Sequence, residues 1–280
     1  MRFSITQLKE MKRRGEKIPM LTAYDYPTAR IVDAAGVPLI LVGDSLGMVV
    51  LGYDSTIPVT MDVMVHHTAA VSRGAKNALV IADMPFMSYQ ISIEQTMHNA
   101  ARLMQEGGAQ AVKLEGGVTV ADTVRRIVDC GIPVMGHIGL TPQSIHQFGG
   151  FKAQGKTLAT AAKLIDDAIA LEQAGAFAVV VETVPAELSE MMCRKVSIPV
   201  IGIGAGAGCD GQVQVISDMF GLYTDFIPRH AKRYAQLADI MTEAISHYVN
   251  EVKSGAFPTA KESLSMDKDI LTKLESLSCE

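Results

Sequence analysis

Basic charge, cysteine and long apolar runs are all in short supply. Lys and Arg total 25 against 30 Asp and Glu, a formal net charge of −5. A nucleic-acid binder needs a basic face to neutralise phosphates, so no nucleic-acid partner is expected and small molecules fit better. The four cysteines, Cys130, Cys193, Cys209 and Cys279, are widely separated, with no CxxC pair and no zinc-type Cys/His spacing. Scattered thiols in a chain of this size suit a reducing compartment. No apolar run approaches the length of a membrane span, and the opening MRFSITQLKEMKRRGEK has no apolar core of the signal-peptide kind. A cytoplasmic protein with no membrane partner is expected. No low-complexity linker interrupts the chain, so no second domain is called.

What is present is ample apolar material: 280 residues, 48% hydrophobic, with 24 glycines. A single α/β barrel commonly runs to about 250 residues. Short Val/Ile/Leu/Ala runs near 19–23, 39–43, 79–83, 111–114, 134–138, 178–182 and 200–204 read as strands, with a weaker eighth near 225–228. Amphipathic stretches at 61–72, 93–106, 120–130, 157–174, 186–195 and 232–252 read as helices. Runs without period-2 alternation indicate strands covered on both faces, as in parallel sheets. Eight such repeats favour a closed (β/α)8 TIM barrel. An extra N-terminal helix precedes the first strand, with Ser4 as N-cap, Gln7 in the capping-box position, and Ile5, Leu8 and Met11 on one face against the barrel. The barrel domain is placed at 1–255 and a C-terminal tail at 256–280.

Five of the apolar runs finish on ionisable groups: VGD on Asp44, VIAD on Asp83, AVKLE on Lys113 and Glu115, VMGH on His137 and VVVE on Glu182. In a parallel barrel all strand ends gather at one rim, where such barrels place their active sites. Any one strand-end Asp could merely cap the next helix. That explanation becomes strained for all of them together. Two aspartates without a nearby cysteine prefer a hard cation, and an open oxygen site suits Mg²⁺. With a lysine and a spare carboxylate, the set supplies a Lewis acid, an anion anchor and a base for proton removal beside a carbonyl.

The strings MLTAYDYPTARIVDAAGV, VGDSLGMVVLGYDSTIPVTMD, ADMPFMSY, AVKLEGG, GIPVMGHIGLTPQS, ETVPAEL and IGIGAGAGCDGQ closely resemble the ketopantoate hydroxymethyltransferase family, in the same order from Met20 to about Pro258. The resemblance implies a barrel of the phosphoenolpyruvate/pyruvate-binding type and transfer of a one-carbon unit from 5,10-methylenetetrahydrofolate to 3-methyl-2-oxobutanoate, with Mg²⁺, in pantothenate and coenzyme A synthesis. By motif it implies Asp44 and Asp83 as metal ligands with Glu115 beside the metal. Ser45 and Lys113 would contact the keto acid, His137 would line the pocket, and Glu182 would be the proton acceptor. It also implies a homo-oligomer, usually a decamer. Two other readings stand beside it: a carbon–carbon lyase or mutase of the same barrel group, and a non-catalytic keto-acid binder. Against the first, the KCGH stretch typical of the lyases is missing; against the second, a binder has no need of Glu182.

Three further features are given structural readings. Gly206, Gly208 and Gly211 spell GxGxxG, but too late in the repeat for a dinucleotide fingerprint, so a tight rim loop is expected. His66 and His67 are adjacent on a helix and diverge, which is poor geometry for joint metal binding. Asp25 fits a helix cap.

Overall fold

A computed structural model describes residues 2–277. Its strands are β1 (Ile18–Thr22), β2 (Leu39–Val42), β3 (Leu79–Asp83), β4 (Ala111–Glu115), β5 (Val134–Gly139), β6 (Ala178–Glu182), β7 (Val200–Ile203) and β8 (Gly211–Gln214). They close in sequence order into an all-parallel barrel, with β8 paired to β1. The helices are α1 (Ile5–Arg13), α2 (Tyr26–Ala34), α3 (Leu46–Val49), α4 (Met61–Gly74), α5 (Ile93–Gln105), α6 (Ala121–Asp129), α7 (Ile145–Phe148), α8 (Leu158–Gln173), α9 (Ala186–Lys195), α10 (Ile216–Met219), α11 (Leu237–Ser254) and α12 (Lys268–Leu277). This is the (β/α)8 TIM barrel expected from the repeat. None of the described helices is long and apolar enough to cross a membrane.

Alternation along each strand divides the core in two. Ile40, Val42, Val80, Ala82, Val112, Leu114, Val179 and Val181 point outward and pack in the larger core cluster with the helices. Met20, Leu39, Leu41, Leu79, Ile81, Ala111, Met135, Val180 and Ile201 point inward and fill the barrel, joined by Leu8 of α1. The inward series continues to Asp83, to Lys113 and then Glu115, to His137 and to Glu182. The sheet's own period therefore delivers these groups to the cavity above the apolar filling.

Helix α1 closes the opposite end. Ser4 Oγ accepts from Gln7 N (3.3 Å) and Ser4 N donates to Gln7 Oε1 (2.9 Å), the expected capping box. Leu8 is fully buried, worth roughly 2 kcal/mol of apolar burial. Lys12 Nζ pairs with Asp210 at 2.9 Å and donates to the carbonyls of Cys193, Val196 and Ile198, tying the helix to the chain entering β7 and β8.

One expectation is corrected. The eighth strand is Gly211–Gln214, not 225–228. GQVQ is short and half exposed, and β7 reaches it through a loop without an intervening helix, so it lacks the apolar run that marks the others. Residues 225–228 have no regular structure and contribute Phe226 and Pro228 to the cavity mouth. The chain divides into two compact units, 1–234 and 235–280, the second holding α11 and α12. Within the second unit Tyr248 meets Phe257 edge-on, with ring centroids 5.7 Å apart. The tail contains α12, and Cys279 lies outside the described residues; Cys130, Cys193 and Cys209 are free thiols.

Candidate active site

Strand pairing sets the site's first distances. Asp83 is the cross-strand neighbour of Lys113, and Glu115 of His137. Lys113 Nζ lies 2.9 Å from Asp83 Oδ1 and 3.3 Å from His137 Nδ1. His137 Nδ1 is 3.4 Å from Glu115 Oε1, and its Nε2 is 3.2 Å from Glu182 Oε2. Asp83 Oδ1 and His137 Nε2 nonetheless have no aligned hydrogen bond, so these two approaches are electrostatic in character. Asp44 arrives from the turn after β2, and its N–H donates to Asp83 Oδ2 at 3.0 Å. A Cβ at Gly43 would sit 2.8 Å from Ser45 Oγ, so glycine there leaves room for that hydroxyl. Ser45 Oγ in turn lies 2.9 Å from the Tyr24 hydroxyl. All seven expected site residues, Asp44, Ser45, Asp83, Lys113, Glu115, His137 and Glu182, line one cavity of about 430 Å³.

Burial and crowding set the charges. Burial pushes Asp44 well above the usual carboxylate range, and the neighbouring Asp83 and Glu115 charges push the same way. Glu115 is pushed up to about 7, chiefly by burial, with Lys113 opposing. For Lys113, burial favours the neutral amine, but Asp83, Glu115 and Asp44 together outweigh it and hold the ammonium above its ordinary value. Burial, then the Lys113 charge, lowers His137 and keeps its imidazole neutral. A charged lysine is thus set beside a neutral histidine, with Glu182 on that histidine's far nitrogen.

The sequence reading missed two neutral residues that brace this cluster. Gln143 donates through Nε2 to Asp44 Oδ2 (2.7 Å) and to the Met84 carbonyl (3.0 Å), and through its backbone N–H to Glu115 Oε2 (3.0 Å). The Tyr89 hydroxyl donates to Gln143 Oε1 at 2.8 Å and accepts from Glu115 N at 3.1 Å. Both stand within strings already quoted, PQS and MSY, but neither carries a charge to mark it. Thr183, directly after Glu182, adopts φ 51°, and its N–H donates to Ile203 O at 2.8 Å, which fixes the strand end that presents Glu182.

The remaining motifs stay structural. Asp25 caps α2 by accepting from Thr28 N at 2.8 Å. His67 Nδ1 bonds the Tyr24 carbonyl at 2.6 Å, and its ring stands at 86° to that of His66. In the GxGxxG stretch a Cβ on Gly206 would collide with Ala186, so that loop is glycine-rich for packing.

Among the described residues no three His, Cys, Asp or Glu side chains form a closed metal cage. Asp44 and Asp83 do form a two-carboxylate corner, with a buried Asp83 oxygen lacking any aligned hydrogen bond. That donor set suits a hard cation that keeps most of its ligands as water or substrate.

The ketopantoate hydroxymethyltransferase family model matches residues 2–260. The chain belongs to this family. It is therefore an enzyme of the class that transfers a one-carbon group. A 3-methyl-2-oxobutanoate hydroxymethyltransferase of Dehalococcoides mccartyi is 68% identical over 275 residues, covering 98% of this chain and 99% of the relative. One of the same name from Chloroflexus aurantiacus is 60% identical over 267 residues, covering 95% and 94%. Solved structures extend the fold more widely. A 2,3-dimethylmalate lyase, a member of the PEP mutase/isocitrate lyase superfamily, superposes with a TM-score of 0.59 at 14% identity over 99% of this chain and 96% of its own. A phosphonopyruvate hydrolase gives 0.60 at 10% identity over 99% and 96%. At such identities the likeness concerns the barrel, and the chemistry follows from the family.

Proposed function

We propose that this chain transfers a hydroxymethyl group from 5,10-methylenetetrahydrofolate to 3-methyl-2-oxobutanoate, giving ketopantoate for pantothenate and coenzyme A synthesis. The observation that carries the reading is the line Asp83–Lys113–His137–Glu182 across one cavity, which sets the anion holder Lys113 one histidine away from the partly exposed carboxylate of Glu182. Lys113, held charged by its neighbours, is a poor Schiff-base nucleophile and a good partner for the keto acid's carboxylate or the developing enolate oxygen. Ser45 supplies a hydroxyl to the same carboxylate end. Glu182 takes the proton from C3. His137 Nε2 lies 3.2 Å from that carboxylate and helps to orient it. The enolate carbon then attacks the folate's methylene carbon, and water supplies the hydroxyl oxygen as tetrahydrofolate leaves.

Asp44 and Asp83 would hold Mg²⁺, with Glu115 beside it; Gln143 fixes the carboxylates of Asp44 and Glu115, and Tyr89 braces Gln143. The ion supplies Lewis acidity toward the keto oxygen and offsets the gathered negative charge. Assay of purified protein with both substrates and Mg²⁺ should give ketopantoate, and exhaustive chelation should abolish it. Product formation that survives chelation would remove the metal from the reading. No product with any one-carbon donor would leave a keto-acid binder or lyase.

A further inference from the structure

One buried charge in the cavity has no task in the chemistry above. Asp218 lies on α10, just beyond the end of β8, the strand that stands opposite β4 and its Lys113 in the barrel order. It is 6% exposed and lines the cavity. The charge of Arg233 acts on its carboxylate. Burial pushes it up to about 6, with the Arg233 charge opposing. Its position is nevertheless held, because Ile216 N at the start of α10 donates to Thr22 Oγ1 at 2.9 Å. The floor beside it is apolar, built by Ile203, Val213 and Val215.

An acceptor-only group above an apolar floor selects a flat ring with adjacent N–H donors. It repels the keto acid, whose negative end belongs with Lys113. The remaining fixed cation on the cavity lining, Arg229, stands at the exposed mouth, where it suits an anionic tail leading out to solvent. We infer that Asp218 is the pterin-recognition residue, accepting hydrogen bonds from the ring N3–H and 2-amino group of the folate while the folate's carboxylate tail points toward Arg229. The inference rests on the hydroxymethyl-transfer reading and assigns the half of the cavity that reading leaves empty.

Two measurements separate the inference from its foundation. Deuterium exchange at C3 of 3-methyl-2-oxobutanoate, with Mg²⁺ and without folate, reports the keto-acid half alone. In Asp218→Asn, exchange should stay within about twofold of wild type while KM for methylenetetrahydrofolate rises about tenfold or more, as expected for loss of a charge-assisted pair. Unchanged KM overturns the inference and leaves the reading intact. Exchange lost together with folate affinity also overturns it, since Asp218 would then support the whole site. Absence of both exchange and product in wild type sinks the reading itself. Should the variant not fold, wild-type protein still decides: tetrahydrofolate should bind about tenfold or more tighter than its 2-desamino analogue, and equal affinities overturn the assignment.

Discussion

At Glu182 the side chain is 13% exposed, whereas that of Glu115 is 3% exposed and is held by Gln143 N. Of the two glutamates, Glu182 is the more open to a substrate C–H. Glu182→Gln should lower C3 deuterium exchange by about a hundredfold or more while 3-methyl-2-oxobutanoate still binds with little change, measured by exchange NMR and by calorimetry. Undiminished exchange would move the base to another group. The charged part of the site was legible because a strand that ends on an acid, a lysine or a histidine breaks its own apolar pattern. Gln143 and Tyr89 break no pattern. Asp218, in ISDMFG, looks like an ordinary polar residue near a helix, and only its burial on the cavity wall sets it apart.

Between elements, the sequence was readable wherever one apolar run stood for one strand. β2, β3, β4 and β6 fall within a residue of their expected bounds because both their faces are covered. β8 was not legible, since its outward residues are polar and the apolar residues of 225–228 belong to a mouth loop instead. Contacts between distant side chains and backbone were also hidden. Asp33 at the end of α2 accepts from Lys76 N (3.1 Å), Asn77 N (2.9 Å) and Ala78 N (2.7 Å), stapling that helix to the entrance of β3. Burial opposes the charge on Asp33, but these donors outweigh it and hold the carboxyl below its usual value. A depressed carboxyl contributes stability above its unfolded pKa and loses it as pH falls through the folded one. Asp33→Ala should cost about 2 kcal/mol in urea unfolding at pH 7, and the deficit should shrink toward pH 3. Product formation at 25 °C should persist, because the staple lies at the far end of the barrel from the cavity. An unchanged urea midpoint would mean that water replaces the carboxylate without loss.

The molecule as a whole sets a stabilising end against a reactive one. At the N-terminal end of the strands, Leu8, Ile18, Leu39, Leu79 and Phe177 are apolar and buried; at the C-terminal end the same inward alternation gathers charge. Such a rim weakens the fold unless something neutralises it. For Glu115 the sign can be worked out. In the unfolded chain it titrates near 4.5, and in the folded chain at about 7, so between those values the folded state binds more protons. Stability from this group therefore falls as pH rises from about 4.5 to 7. Glu115→Gln keeps the amide-to-oxygen contact with Gln143 and removes the charge. With chelator present, the variant should gain on wild type by on the order of 2 kcal/mol between pH 5 and pH 7.5, read from chemical unfolding at each pH. Magnesium should raise the wild-type midpoint more at pH 7.5 than at pH 5, because at the lower pH protons compete for the same carboxylates. A stability difference between wild type and Glu115→Gln that stays flat with pH would show that Lys113 already neutralises Glu115 and that the rim imposes no such cost.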